Sequence, residues 1–313
     1  MNMRDICCLF GGLIIDYYYY IDKWPERAQD GFITGEDSMV GGCAINMAAA
    51  ASSLGCPAYV ISGLGEDHAA ETAGKYMMEH ALPTDLIERA GGTSGKCLVF
   101  LEPDGERTFL TEKGAEGIFS ETLDAKVRSC EPRAAGVTGY YLLNDDAERI
   151  MDCIEYLHSR GTWVLFDPSP LVSSIKPELL RRIIEASDMM TPNETELSVI
   201  EQYTDKERYC SHGGTIVVKS GSEGGNVYTY RDGSVRSFQY GAVRADAVDT
   251  TGAGDSFSGA LLFSAVKELD LESAVELASR TAAITVGING PHAFWEPDIK
   301  MKEIIEKGRK KNA

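Results

Sequence analysis

Short apolar runs alternate with longer amphipathic runs along most of the chain. The apolar, β-branched runs predict buried strands at 6–10, 58–62, 136–143, 162–166, 188–190 and 215–219. The amphipathic runs predict helices at 44–54, 67–80, 145–159, 176–186, from 193 onward, at 254–268 and at 272–286. Repeated β-α-β-α order of this kind predicts a three-layer α/β/α fold with a mostly parallel central sheet.

Two stretches break this alternation. Residues 30–40 and 95–111 are typical of strands joined by turns, with a hairpin turn at Glu102–Glu106, and no helical run accompanies them. Strands without a covering helix belong off the main sheet. We therefore expect a single α/β domain over 1–313, with a small β lid built from about 13–40 and 95–112.

Composition excludes several classes of protein. The formal net charge of −18 repels nucleic-acid phosphates, and the one basic run, 307–311, is short. No uninterrupted apolar stretch is long enough to span a membrane. The eight cysteines form no C-x-x-C pair, which indicates reduced thiols rather than disulfides or a zinc site. We expect a soluble cytoplasmic protein.

The strongest local signal is the segment Asp249-Thr-Thr-Gly-Ala-Gly-Asp255, which leads directly into an apolar helix. Gly252 and Gly254 allow a ligand to approach the backbone closely. The helix start leaves the N–H groups of Ala253, Gly254 and Asp255 without partners, and such groups bind anions. Asp255 beside them is placed to accept a proton from a substrate hydroxyl during phosphoryl transfer.

Each part of this segment also has a simpler interpretation. Asp255 can be an ordinary acidic residue in a first helical turn, and the helix dipole is expected to keep it ionised and only weakly basic. A dinucleotide fingerprint is excluded because its third glycine is missing after Gly254. Gly91–Lys96 has the wrong spacing for a Walker A loop.

Polar residues near the first strand are candidates for an acceptor site. Gly41-Gly42 precedes the first predicted helix, and Asn46 on that helix offers a donor and an acceptor to a polyol. Asp16 follows the first strand, at the sheet edge where α/β proteins bind ligands. A simple turn and a solvated acid are the alternatives for these residues.

Two later motifs are candidates for a nucleotide site. Asn193 and Glu196 lie three residues apart at a helix start, where they can organise metal-bound water or form a helix cap. Gly221 and Gly224 form a glycine turn after the strand 215–219, which suits a nucleotide or an ordinary hairpin.

Taken in order, these four motifs make the chain resemble the ribokinase-type (PfkB) carbohydrate kinase family over nearly its whole length. The resemblance implies a nine-stranded central sheet, a small β lid, ATP and Mg²⁺, and in many members a monovalent cation such as K⁺. It implies a base at Asp255 and an anion hole at 252–254. It also implies acceptor contacts at Asp16, Gly42 and Asn46, nucleotide-side residues at Asn193, Glu196, Lys219, Gly221 and Gly224, and metal- or cation-side residues at Glu196 and Asp249.

The acceptor side departs from the family pattern. Cys43-Ala44 stands where many members carry Lys or Gly, and the Tyr17–Tyr20 run has no counterpart; its rings could stack on a sugar or a base. Phe294-Trp295 falls where an adenine-side loop is expected. The acceptor is therefore open between a hexose, a pentose, a keto-deoxy sugar acid and a nucleoside.

Three further expectations follow. A phosphorylated acceptor would need local cations, for which the candidates are Arg27, Arg107 and Lys113. A non-catalytic sugar-binding regulator on the same fold is the alternative from a different class. Open lid strands are commonly covered, and pairing of two lids predicts a homodimer.

Overall fold

The structure is a computed structural model that describes residues 5–288, 290 and 291 of the chain. The predicted adenine-side pair at 294–295 and the basic run at 307–311 lie outside the described residues. The strands are β1 Cys7–Phe10, β2 Ile14–Ile21, β3 Ile33–Gly41, β4 Ala58–Leu64, β5 Ile87–Arg89, β6 Lys96–Leu101, β7 Arg107–Glu112, β8 Ala134–Thr138, β9 Trp163–Asp167, β10 Met189–Met190, β11 Thr215–Lys219, β12 Gly225–Arg231 and β13 Ser234–Tyr240. The helices are α1 Cys43–Ser53, α2 His68–Glu79, α3 Glu121–Cys130, α4 Ala147–Ser159, α5 Pro177–Glu185, α6 Glu194–Ile200, α7 Lys206–Ser211, α8 Ala253–Val266 and α9 Leu271–Val286.

The central sheet has nine strands in the described residues, in the order β13-β12-β11-β10-β9-β8-β1-β4-β5. Pairing is parallel from β11 through β1 to β5, and antiparallel where β12 and β13 extend the sheet. The predicted α/β/α fold is confirmed. The reversal of strand order around β1 places the carboxyl ends of the strands where such sheets bind ligands.

Alternate residues of each central strand point to opposite faces and build two cores. In β1, Cys7 and Leu9 join the core packed under α1, α2, α8 and α9. Cys8 and Phe10 join the other core, under α3 to α7. Helix α1 is rich in alanine, which lets it approach α8 closely. At Gly259 of α8 an added Cβ would lie 2.4 Å from the backbone oxygen of Met47.

A second sheet of four strands, in the order β3-β2-β6-β7, is called the small sheet below. Its β6–β7 hairpin turns at Glu102–Glu106 as predicted, with the Gly105 N–H donating to the Glu102 carbonyl at 2.9 Å. The register sets Asp16 opposite Cys97 and Tyr18 opposite Val99, so these side chains share one face. Arg107 lies opposite Leu101 on that same face.

Several elements differ from the expectation. The predicted strand 136–143 ends at Thr138, and Gly139–Leu143 forms a 3₁₀ turn. A continuous apolar run cannot be divided by periodicity, and the turn depends on tertiary contact: a Cβ at Gly139 would lie 1.7 Å from the Pro168 carbonyl oxygen. Helices α3 and α7 and the hairpin β12–β13 were not predicted.

Two expectations from composition can be compared with the structure. All eight cysteines are free, with Cys43 and Cys130 half-buried and the others buried. Among the described residues, no helix is both long enough and apolar enough to cross a lipid bilayer.

Candidate active site

The start of α8 provides a surface of backbone donors. Gly252 caps the helix with a left-handed φ of 74°, and a Cβ there would also lie 2.5 Å from the Cβ of Pro291. The N–H of Ser256 donates back to the Gly252 carbonyl at 2.8 Å and closes the first turn. Only glycine therefore fits at this corner.

The predicted anion hole is smaller than expected. The N–H of Ala253 donates to the Thr250 carbonyl at 3.3 Å, so it is not free. No acceptor among the described residues takes the N–H of Gly254 or Asp255. The loop 249–252 turns back on itself, so the N–H of Ala253 meets a carbonyl of the same loop.

Asp255 is half-buried in the first turn of α8, where the Asn46 side-chain amide donates to its Oδ2 at 2.7 Å. The thiol of Cys43 lies beside the same carboxyl. Burial raises the pKa of Asp255 to about 6, while the Asn46 hydrogen bond opposes the shift. The sequence predicted that the helix dipole keeps Asp255 ionised and only weakly basic; burial acts in the opposite direction and makes the carboxyl more basic.

Asp16 lies on β2 and packs directly on the Gly41 backbone, since an added Cβ at Gly41 would lie 2.1 Å from Oδ2 of Asp16. Gly42 follows with a φ of 104°, and its missing Cβ leaves room for the carbonyl of Gly12. Asp16 is buried and accepts no hydrogen bond from the described residues. Burial, followed by repulsion from Asp255, raises the pKa of Asp16 to about 7.

The tyrosine run is divided between the two faces of the small sheet. Strand alternation puts Tyr18 and Tyr20 on the face of Asp16, and Tyr17 and Tyr19 on the other. Tyr19 stacks on Phe100, with ring centroids 5.7 Å apart. The buried Tyr18 hydroxyl has no hydrogen-bond partner among the described residues. Of the four tyrosine rings, only those of Tyr18 and Tyr20 lie on the face of Asp16.

Asn193 and Glu196 form a reciprocal helix cap at the start of α6. The Glu196 N–H donates to Oδ1 of Asn193 at 2.8 Å, and the Asn193 N–H donates to Oε2 of Glu196 at 2.8 Å. Glu196 is buried, and burial raises its pKa. Asn193 and Glu196 thus form the helix cap that the sequence left as an alternative. The cap still lies beside the site, because Asn193 forms a backbone β-bridge with Lys219 on β11.

The sequence reasoning missed Asp167, the last residue of β9. Its Oδ2 accepts hydrogen bonds from Nζ of Lys219 at 2.9 Å, from Ser258 at 2.7 Å and from Thr191 at 3.1 Å. Burial by itself lowers the pKa of Lys219, but attraction by Asp167 outweighs it and the pKa is raised overall. A signal was present, because Asp167 ends a buried strand, much as Asp16 follows β1.

Lys219 and the glycine turn border a cleft of about 480 Å³. Gly221 and Gly224 line one side, and the cleft reaches Ala253 and Gly254 at the start of α8. Its other walls are mostly apolar: Val243, Phe257, Ala283 and Val286. The ammonium of Lys219 lies 3.6 Å from the position that a Cβ of Gly254 would take. The cleft thus joins an apolar slot to the free donors of α8.

Asp249 is buried at the beginning of the same loop. Its Oδ1 accepts from the Thr251 N–H at 2.7 Å, and its Oδ2 accepts from the Gly290 N–H at 3.2 Å. The guanidinium of Arg107, from the small sheet, contacts Oδ1 of Asp249 at 2.9 Å. The small sheet and the α8 loop are therefore joined by an ion pair at the site.

Comparison with known proteins gives a consistent class. The pattern of the pfkB family carbohydrate kinases matches residues 6–297. The sugar kinase YegV of Escherichia coli (strain K12) is 28% identical over 300 residues, covering 93% of this chain and 91% of that protein. The chain belongs to the pfkB family of carbohydrate kinases.

Two solved structures share the fold. The nucleoside kinase of Burkholderia thailandensis in complex with inosine superposes with a TM-score of 0.82 at 22% identity, covering 97% of this chain and 96% of that one. The ribokinase of Arabidopsis thaliana complexed with ribose and ATP superposes with a TM-score of 0.79 at 21% identity, covering 98% of this chain and 99% of that one. These two structures show the ribokinase-like fold, and membership of the family makes this chain a kinase that uses an alcohol group as acceptor.

Proposed function

We propose that this chain transfers the γ-phosphoryl group of ATP to a hydroxyl of an uncharged sugar or nucleoside, with Asp255 as the general base. The single observation that carries the proposal is the position of Asp255, held by Asn46 beside the free N–H groups of α8. A pKa of about 6 suits a base that is ionised at neutral pH and still accepts a proton.

The residues on the two sides of Asp255 have separate roles. Asp16, Gly42 and Asn46 bind the acceptor, and Asp255 takes the proton of its hydroxyl as the new O–P bond forms. The bond from the γ-phosphorus to the bridging oxygen breaks, and ADP leaves. The N–H groups of Gly254 and Asp255 hold the transferring phosphoryl oxygens, with Gly252 and Ala253 shaping the loop.

The cleft fits the nucleotide. Its apolar walls suit a purine ring, and the turn at Gly221 and Gly224 lets phosphates pass close to the backbone. Lys219 is held by Asp167 at 2.9 Å beside Gly254, where a cation attracts the β- and γ-phosphates. The backbone β-bridge between Asn193 and Lys219 fixes the start of α6 beside Lys219.

Magnesium fits this donor set as an ion that arrives with ATP. The described residues hold no cluster of three His, Cys, Asp or Glu side chains that could bind a metal by themselves. Mg²⁺ commonly keeps several waters and binds phosphate oxygens with one or two carboxylates. Glu196 would hold the water shell, and the ion would offset the phosphate charge.

The cations near the acceptor pocket support an uncharged acceptor. Arg107 is paired with Asp249, and Nζ of Lys113 donates to the Leu143 carbonyl at 2.7 Å. Arg27 is exposed. A phosphorylated acceptor would instead meet Asp16 and Asp255 and be repelled by both, because neither side chain would be balanced by a free cation.

Three wider proposals accompany this one. The chain works as one domain, with the small sheet as a lid over the acceptor pocket. The eight free cysteines support a reducing, cytoplasmic location. Exposed apolar side chains on or directly beside the small sheet, such as Leu110 on β7 and Phe32 just before β3, support a homodimer in which the sheets of two copies meet.

The direct test is Asp255→Asn assayed by ADP release with a panel of sugars, sugar acids and nucleosides. We expect the rate with the best acceptor to fall by about 10³-fold or more, because the base is lost while the site keeps its shape. Affinity for ATP, measured by calorimetry, should change little.

The matched control is Asp246→Asn, which removes an exposed carboxylate upstream of the same loop and should keep full activity. Turnover of Asp255→Asn at the wild-type rate would show that Asp255 is not the base. A wild-type chain that binds an acceptor and ATP without releasing ADP would favour the non-catalytic regulator.

A further inference from the structure

Asp249 is a buried carboxylate whose charge must be balanced inside the protein. Its side chain is only 5% exposed, and it stands six positions before the proposed base in the loop that forms the anion hole. Two backbone N–H groups, of Thr251 and Gly290, contact its oxygens. These dipoles stabilise the carboxylate, and a positive charge nearby stabilises it further.

The structure supplies that charge from the small sheet. Nη2 of Arg107 lies 2.9 Å from Oδ1 of Asp249, and Nη1 donates to the Thr250 hydroxyl at 3.3 Å. The Arg107 side chain is itself only 19% exposed. The guanidinium therefore bridges two consecutive residues of the loop, and its full charge lies against the buried carboxylate.

A monovalent cation at the same carboxylate does not fit this arrangement. Oδ1 already has an N–H donor and a guanidinium within 2.9 Å, and Oδ2 accepts from Gly290. A second positive charge bound to Asp249 would stand within a few ångströms of Arg107 and would be repelled by it. The expectation that Asp249 is a cation-side residue for K⁺ therefore disagrees with the contacts observed.

We propose that Arg107 takes the place of a monovalent cation at Asp249, so that phosphoryl transfer by this chain does not depend on K⁺. Arg107 is a positioning residue: it holds the loop 249–252, and through the loop the donors of α8. Because it belongs to the small sheet, the charge reaches the loop only while that sheet is closed over the site. This inference rests on the proposed kinase activity.

The test compares the wild type with Arg107→Met in two buffers of equal ionic strength that both contain Mg²⁺. One buffer carries potassium, and the other carries tetramethylammonium, which is too large to enter a carboxylate site. Lys96→Met is the matched control. It removes a cation that pairs with Glu112 at 3.0 Å on the same sheet, but on the face away from Asp16. For each protein, kcat/KM is measured with the best acceptor of the panel described above, and the melting temperature is measured without acceptor.

We expect wild type and Lys96→Met to give the same kcat/KM, within about twofold, in both buffers. Arg107→Met should lose about tenfold or more in tetramethylammonium, because a buried carboxylate loses its counter-charge, and K⁺ should restore much of that activity. The melting temperature of Arg107→Met should rise by about 2 °C with K⁺, while that of the wild type stays constant.

Two results would overturn the inference. One is a wild type whose activity falls severalfold when potassium is replaced. The other is an Arg107→Met protein that K⁺ neither reactivates nor stabilises. If Arg107→Met fails to fold, the wild-type comparison and the charge-retaining Arg107→Lys variant, expected to stay K⁺-independent, decide the question.

The experiment also separates this inference from the proposed function. A wild type without activity toward any acceptor contradicts the kinase proposal. The melting temperatures of wild type and Arg107→Met with and without K⁺ still report whether Arg107 takes the place of the cation.

Discussion

Asp16 and Asp255 are both carboxyl groups with raised pKa values in the same pocket, and burial is the main cause for each. Repulsion between them adds to the shift of Asp16. Asp255 keeps a hydrogen bond from Asn46, whereas Asp16 has none among the described residues. At the residue scale, the proposed acceptor pocket therefore lowers the stability of the protein in exchange for reactive carboxyl groups, as is common at active sites.

Asp16→Asn should stabilise the protein at alkaline pH. The pKa of Asp16 is about 7 in the folded protein, against an ordinary value of 3.8. The free-energy cost of burying the charged carboxylate therefore appears as the pH rises from about 4 to 7. The gain from the substitution should be larger at pH 8 than at pH 5 by about 1–3 kcal/mol. Urea unfolding of both proteins at the two pH values measures this difference.

The control for this prediction is Asp30→Asn, which removes an exposed carboxylate in the loop after β2. It should shift the free energy of unfolding equally at both pH values. If Asp16→Asn changes the free energy of unfolding by the same amount at pH 5 and pH 8, the buried charge of Asp16 does not destabilise the protein.

At the element scale, the β6–β7 hairpin connects the small sheet, which we propose as a lid, to the loop 249–252. Residues 103–106 of the hairpin turn are exposed, and Arg107 directly after them contacts Asp249. In the proposed lid motion, opening of the small sheet would break this ion pair and separate Asp16 from the acceptor. The elements that move at a ligand site are usually those with the fewest buried contacts.

An acceptor should protect this hairpin from proteolysis. A glutamate-specific protease is expected to cut at Glu102 and Glu106 more slowly when acceptor is bound, because binding favours the closed small sheet. Mass spectrometry of a time course measures the cleavage. Cleavage after Glu201, an exposed residue at the end of α6 far along the chain, is the internal control. Equal rates at the hairpin with and without acceptor would argue against closure.

At the scale of the whole molecule, the small sheet leaves an apolar surface exposed. Phe32 is 72% exposed, Phe109 is 54% exposed and Leu110 is 53% exposed. Phe109 and Leu110 point to opposite faces of β7, so the proposed contact depends on Leu110, on Phe32 directly before β3, and on the open edges of the sheet. A second copy of the chain offers the same surface and covers both together.

The proposed dimer predicts a dimeric wild type and a monomeric double variant Phe32→Glu, Leu110→Glu. Charge placed in an apolar interface is strongly unfavourable, and sedimentation velocity at micromolar concentration measures the change. Met78→Glu is the control, because Met78 is 73% exposed on α2 and lies outside the small sheet. A wild type that sediments as a monomer would contradict the dimer.

Helices α3 and α7, the hairpin β12–β13 and the role of Asp167 were not predicted. The alternation of strands and helices, a smaller sheet beside the main one and the motif residues around Asp255 were predicted from the sequence, with the number of nine strands implied by the resemblance to the family. These features depend on local periodicity, on glycine at defined positions and on motifs in a fixed order, all of which are visible in neighbouring residues. The turn at 139–143 was predicted wrongly because a uniform apolar run carries no boundary signal.

Only the tertiary structure decided the charges of the site. The pairing of Lys219 with Asp167, of Asn46 with Asp255 and of Arg107 with Asp249 joins residues that are far apart in the chain. The raised pKa values of Asp16 and Asp255 depend on how much water the surrounding packing removes. The sequence thus determined which side chains are present and on which element each lies. Folding determined which of them meet, and how far from water.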